Sequence, residues 1–210
     1  FKMKARPWRD IHDQVATVGK VVPDDYRFDI DFNGFLLTSA RAEEELSKLD
    51  GVLHAGMYES PFYLYKDLTG ARTLRERVRK PNVEHFRDEV LHAHASDGFV
   101  IGGTINSMRH QASLAAGFNK PFWLQLVGAG PTTAFALHFG SVLSHAQLPY
   151  ITCHELFESD LLTKRIEIVD GYGTIPEGPG LGVEVDAAAI ERYRVDPQEP
   201  TPKQRYRQLK

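Results

Sequence analysis

The chain has 210 residues, 42% of them hydrophobic, and a formal net charge of −3. That length supports one sizeable core, and the near-neutral balance provides neither a nucleic-acid footprint nor a patch for an anionic membrane. No apolar run reaches the ~20 residues that span a bilayer, and the one cysteine, Cys153, excludes an intrachain disulfide and points to a reducing, cytoplasmic setting.

No signal-peptide pattern opens the sequence. The first residues, FKMK, lack an initiator Met and begin directly in an extended piece, which predicts the later part of a longer polypeptide. Residues 10–22 are amphipathic, with Ile11, Val15, Val18 and Val22 at three- and four-residue spacing, and Pro23-Asp24-Asp25 stops that helix. Residues 27–33 (RFDIDFN) alternate as a strand. Phe28 and Ile30 share one face, Asp29 and Asp31 the other. Acids at a strand end just before a loop make a poor core and a natural metal site. Asp29 lies one repeat deeper than Asp31 and is expected to pair with a buried cation.

A helix capped by Ser39 runs to about Leu49, with Glu43, Glu44 and Glu45 in its early turns. Residues 53–60 (LHAGMYES) form a second strand that ends in Glu59 before Ser60-Pro61. Residues 68–78 are a short basic helix, and 82–86 (NVEHF) a third strand with Glu84 and His85 at its end. Residues 92–96 close a brief helix, and 97–103 (DGFVIGG) read as a strand entering a Gly-Gly turn. Residues 105–118 are helical and 122–126 (FWLQL) extended. Gly128-Ala129-Gly130-Pro131 opens a helix over 132–143, and 150–156 (YITCHEL) is the last strand of the series.

Strand–helix alternation with short links implies right-handed crossovers and a parallel sheet. It fits a (β/α)₈ barrel, of ~250 residues when whole, lacking its first unit. A doubly wound open sheet is the rival. No G-x-G-x-x-G opens a first helix, although Gly128-Ala129-Gly130 could hold an anion on backbone N–H groups. After Leu162 the texture changes. Residues 164–169 alternate as a strand, 171–185 are dense in Gly and Pro, 186–193 form a short helix, and 194–210 read as a polar tail that packs elsewhere or frays. The expected organisation is a barrel portion over 1–162 and a C-terminal segment over 163–210.

In a parallel barrel the strand C-termini meet at one face. Lys2, Lys4, Asp31, Glu59 and Glu84 or His85 all fall at such ends. Asp31 and Glu59 are 28 residues apart, and Glu59 precedes Glu84 by 25 and His85 by 26, about one β/α unit each. One acid at a strand end is ordinarily a cap or a surface ion pair, but four charged ends in register describe a site. Three oxygen-rich ligands with room for water and a substrate carboxylate suit Mg²⁺. A lysine crowded by a second cation and a metal releases its proton more readily and can act as a base.

The motifs Lys2-Met3-Lys4, Asp31-Phe32-Asn33, Tyr58-Glu59-Ser60-Pro61, DGFVIGG from Asp97, and Ile175-Pro176 with Pro179-Gly180-Leu181-Gly182 resemble, in this order, the enolase superfamily. The similarity is closest to its mandelate racemase/muconate lactonizing enzyme branch. The resemblance implies a modified TIM-type (β/α) barrel, present from its second strand onward. It also implies a capping domain built mainly from the absent N-terminus, toward which residues 163–210 would return. Mg²⁺ held by three acids would bind a small-molecule carboxylate and stabilise the enediolate left when a base removes the α-proton. By motif, Lys4 matches the catalytic lysine, Lys2 its electrostatic partner, and Asp31 and Glu59 the first two metal ligands. Asn33 falls where the family often has a supporting amide, and Glu158 resembles in position an acid near the eighth strand that hydrogen-bonds substrate. Such barrels often assemble, so a homo-oligomer is expected.

The departures from the pattern are informative. The third ligand is expected at Glu84, with His85 as the alternative, and the step from Glu84 to Asp97 spans only 13 residues. A second catalytic lysine would fall at Val100. The histidine that pairs with an acid like Asp97 in racemases would fall near Gln125; Asp97 and Gln125 are therefore expected on the substrate side. With Lys4 as the one clear base, elimination of water from an acid sugar, or a cycloisomerisation, fits better than racemisation or epimerisation. His85 or His154 could protonate the leaving hydroxyl. The alternatives are a racemase of the same superfamily and a member that kept the fold as a binding or structural protein.

Overall fold

The computed structural model describes residues 1–195. The predicted tail over 194–210 therefore lies almost wholly outside the described residues. The described chain divides into two compact units: Phe1–Gln125 with Gly140–Ile151, and Leu126–Phe139 with the stretch from Thr152 onward.

The first unit is a six-stranded, wholly parallel sheet in sequence order: β1 (Lys2–Lys4), β2 (Phe28–Asp31), β3 (Ala55–Glu59), β4 (Asn82–His85), β5 (Gly98–Ile101) and β6 (Phe122–Leu124). Between them run α1 (Ile11–Gly19), α2 (Ser39–Leu49), α3 (Leu68–Arg77), α4 (Asp88–His92) and α5 (Ile105–Gly117). Each longer helix starts where a short polar side chain accepts a backbone N–H: Asp10 for α1, Asp67 for α3 and Thr104 for α5. The cap of α2 is Thr38 rather than Ser39, because Thr38 is the last extended residue and Ser39 already lies in the helix. The short step between Glu84 and Asp97 holds a complete unit, with α4 reduced to five residues.

The sheet's outer face carries Phe28, Ile30, Phe32 and Tyr58, all buried. Its inner face carries Val83, Val100 and Trp123, packed with Met57, Leu148, Tyr150 and Ile151. The sheet curls: Lys2, on the first strand, hydrogen-bonds Gln125, just past the sixth, and its ammonium lies 5.9 Å from the Trp123 ring centroid. The expected strand over 150–156 is reduced to one parallel bridge between Ile151 and Gln125. Cys153 takes a left-handed φ of 59°, and a 3₁₀ turn follows at His154–Leu156, so pairing cannot continue.

The second unit holds most of α6 (Gly130–Ser141), a hairpin of β7 (Ile168–Val169) and β8 (Tyr172–Gly173), and α7 (Ala187–Arg192). Its apolar centre is Ala134, Leu162 and Ile166 with Leu137, Leu181 and Val183. Of the strand expected over 164–169, only the last two residues pair. Gly130 is a packing glycine: a Cβ there would lie 2.5 Å from Leu162, and its N–H goes to the Asp160 carbonyl. That N–H is not free to cradle an anion. No helix among the described residues is long and apolar enough to cross a membrane.

Candidate active site at the strand ends

Strand register places the site. Lys4 lies beside Asp31, and Asp31 beside Glu59, so the charged ends of β1, β2 and β3 stand in one row. Lys2 lies one repeat deeper, next to Asp29. Asp31 and Glu59 are almost wholly buried, which is tolerable only because cations meet them. The Lys2 ammonium lies 3.0 Å from Asp31 Oδ2 and 2.5 Å from Glu59 Oε2. It also donates to Gln125 Oε1 at 3.2 Å. Lys4 pairs with the same Asp31 Oδ2 and donates to Asn33 Oδ1 at 3.1 Å. The other oxygen, Asp31 Oδ1, accepts the Asn33 N–H at 2.8 Å. Asn33 itself sits at a left-handed φ of 49°, which turns the chain back over the carboxylate.

Burial draws the Asp31 carboxyl toward a higher pKa, but the ammonium groups of Lys4 and Lys2 outweigh it and hold it below the usual range. The two lysines differ in access. Lys2 is 15% exposed and surrounded by acceptors, whereas Lys4 is 43% exposed at the mouth. Arg6, unremarked in the sequence, continues their two-residue spacing and donates to Asn33 Oδ1 at 3.1 Å.

Glu84 does not join this cluster. β4 places Val83 beside Glu59, so Glu84, the next residue, faces outward. There it is buried and accepts Ser60 Oγ at 2.6 Å, the Leu64 N–H at 3.1 Å and the His85 N–H at 2.9 Å. Burial pushes its carboxyl up, and those three donors only partly offset the effect. His85 returns to the inner face, its Nε2 3.4 Å from Glu59 Oε1. Asp97 is also misplaced by the sequence reading. It precedes β5, at the opposite end of the sheet, where it accepts Arg75 and the Asn82 N–H. Burial raises the Asp29 carboxyl, and the Phe1 ammonium, the Met57 N–H at 3.3 Å and Lys2, its neighbour in register, partly offset it. Glu158 and His154 belong to the second unit. Glu158 is exposed, 4.0 Å from Arg192, and His154 is buried with Nδ1 3.3 Å from Thr152 Oγ1.

Two carboxylates of the kind a hard dication takes, Asp31 and Glu59, converge on the Lys2 ammonium, and Glu59 Oε1 is buried, 3.4 Å from His85 Nε2 and without a hydrogen bond. Mg²⁺ commonly takes one or two carboxylates and keeps several waters. Among the described residues no three His, Cys, Asp or Glu side chains surround a common point.

The parallel half-barrel with lysines and acids at its strand ends defines a class. The family described as "Enolase C-terminal domain-like" matches residues 1–189. The chain belongs to the enolase superfamily, in its mandelate racemase/muconate lactonizing branch. It is 27% identical to a D-gluconate dehydratase of Thermoproteus tenax over 209 residues, covering 91% of this chain and 40% of that protein. It is 31% identical to muconate cycloisomerase 1-1 of Acinetobacter lwoffii over 114 residues, 51% of this chain and 30% of that one. The crystal structure of a mandelate racemase/muconate lactonizing family protein from Azoarcus sp. EbN1 superposes with a TM-score of 0.80 at 24% identity, covering 94% of this chain and 58% of that one; at this identity the likeness establishes the fold. The chain thus spans less than half the length of these curated relatives.

Proposed function

We propose that this chain carries the proton-abstraction centre of a Mg²⁺-dependent lyase, with Lys4 removing the α-proton of an acid-sugar carboxylate before water is eliminated. In this reading the six-stranded sheet is part of a (β/α)₈ barrel. The observation that carries it is the asymmetry of the two lysines: Lys2 is surrounded by acceptors, while Lys4 stands exposed at the mouth beside Asp31.

Asp31 and Glu59 would hold the ion, which when bound supplies positive charge to the substrate carboxylate and so acidifies its α-carbon. Lys4 takes the proton. Lys2 keeps the paired carboxylates from repelling one another, and Asn33 orients Lys4 through its Oδ1. His85, 54% exposed and facing Glu59, is positioned to donate a proton to a departing hydroxyl. The inner-face positions that would supply a second base hold Val100 and Gln125, and Gln125 is engaged by Lys2. One base suits elimination or cycloisomerisation rather than racemisation.

The test is solvent-deuterium exchange at the substrate α-carbon in the intact protein. Lys4→Ala should abolish it. Full exchange in that variant would remove Lys4 from the chemistry. A second reading, a member that kept the fold and binds without turnover, draws on the Lys2 ammonium lying between the two carboxylates. Calorimetric titration separates the two: no Mg²⁺ binding at millimolar metal favours the second.

A further inference from the structure

Next to the charged cluster, the loops after β2, β3 and β4 line an open cavity of about 220 Å³. It shares Asn33 and His85 with the cluster and adds Tyr63, Tyr65 and Arg87. Its walls are fixed from below. Ser60 and Leu64, on the loop after β3, both donate to the buried Glu84 carboxyl. Gly34, at φ 76°, lies against the Tyr63 ring so closely that a Cβ would approach to 2.9 Å, so glycine is what lets that ring settle there.

The aromatic rings are flanked by cations. Tyr63 and Tyr65 lie 5.8 Å apart. The Arg87 guanidinium is 4.7 Å from the Tyr65 ring centre, and Lys66 Nζ is 4.8 Å from that of Tyr63. Neither cation has a carboxylate partner among the described residues. A guanidinium lying over a ring keeps its N–H edge available for a bidentate acceptor. The one acid in the wall, Glu84, has its oxygens engaged by three donors.

We propose that this cavity receives the far end of the substrate and that the far end is a second carboxylate, held by Arg87 with the hydroxylated carbon chain against Tyr65. The inference rests on the reading of Asp31, Glu59 and Lys4 as the reacting centre, and it narrows the substrate class to dicarboxylic hydroxy acids. Tyr rings offer flat apolar contact to the C–H face of such a chain and a hydroxyl to its oxygens.

The experiment is calorimetric binding to the intact protein in Mg²⁺, with three matched pairs as probes: tartrate and threonate, glucarate and gluconate, galactarate and galactonate. In at least one pair the diacid should bind about tenfold tighter, the worth of one charge-assisted contact. Arg87→Gln should remove that advantage while leaving the monoacid unchanged, and Arg87 is exposed, so the variant is expected to fold. Equal binding of diacid and monoacid in every pair, an equal loss of both in Arg87→Gln, or no binding of any diacid would overturn the proposal. Deuterium exchange, measured alongside, separates the two readings. A diacid preference without exchange keeps the pocket and removes the chemistry; exchange without the preference does the reverse.

Discussion

Glu84 and His85 are neighbours in the chain and face opposite sides of β4. Glu84 points outward to Ser60 Oγ at 2.6 Å, and His85 points inward to Glu59 at 3.4 Å. The period of two in a strand gives adjacent residues different work. One buried carboxyl braces the loop after β3, and one imidazole borders the buried acids at the strand ends.

The first prediction follows for Glu84. Glu84→Ala strands the Ser60 hydroxyl and the Leu64 N–H in a buried place, and should cost about 1–3 kcal/mol for each group left unpaired. Urea unfolding measures it. Burial raises the folded pKa of Glu84, so the folded state holds this proton more tightly than the unfolded chain. That advantage is complete below the unfolded value and is lost as pH rises through the folded one. Wild type should therefore lose stability relative to Glu84→Gln as pH climbs through the carboxylate range. A gap independent of pH would mean that the carboxyl is not desolvated.

The second concerns Lys2. Its ammonium separates two buried carboxylates. Lys2→Met keeps the length and removes the charge, leaving like charges facing each other. Breaking a buried ion pair from one side costs about 3–5 kcal/mol. In EDTA the variant should melt well below wild type, and Mg²⁺ should restore more of the lost stability to it than it adds to wild type, since a ligand of the native state stabilises by mass action. Equal responses of the two proteins to Mg²⁺ would show that the carboxylates do not hold the ion.

The third is the acid limb. The lysines hold the folded pKa of Asp31 below its ordinary 3.8 despite burial. The unfolded chain then binds this proton more readily, so the contribution of Asp31 is complete above the unfolded value and disappears as pH falls through the folded one. In metal-free buffer, the difference in unfolding free energy between wild type and Asp31→Asn should be flat from neutrality to about pH 5 and close below about pH 4. A difference that widens on acidification contradicts the pairing.

Asp31 was legible because RFDIDFN alternates strictly, so that one buried face names the other. Glu84 was not. Asn82, Val83 and Glu84 are all buried, as expected in a parallel strand covered on both sides, and such a strand has no amphipathic phase to read. Only the register of Val83 against Glu59 decides which neighbour turns inward. Asp97 failed for a different reason: the DGFVIGG pattern places an acid at a strand but does not say that the strand begins there, one strand length from the mouth. Strand–helix alternation showed the parallel sheet, but YITCHEL looked extended because its left-handed turn at Cys153 has no glycine to mark it. The pair Tyr63 and Tyr65 had no signal beyond two aromatics at spacing two.

The last prediction separates two proton transfers. If Lys4 takes the α-proton and His85 serves the leaving hydroxyl, the steps belong to different side chains on different strands, β1 and β4. His85→Asn removes the proton donor while keeping a polar group of similar size, and since His85 is half exposed the fold should tolerate it. Exchange of the α-proton with deuterium should then persist while elimination slows by about 10²- to 10⁴-fold, the usual worth of a general acid. Lys4→Ala should stop both. If His85→Asn slows exchange and elimination by the same factor, the imidazole acts on binding or on Glu59 rather than on the leaving group. If it slows neither, the proton comes from another donor. Measuring both rates in one NMR experiment, with loss of the α-proton signal against appearance of the product, distinguishes these outcomes in a single sample.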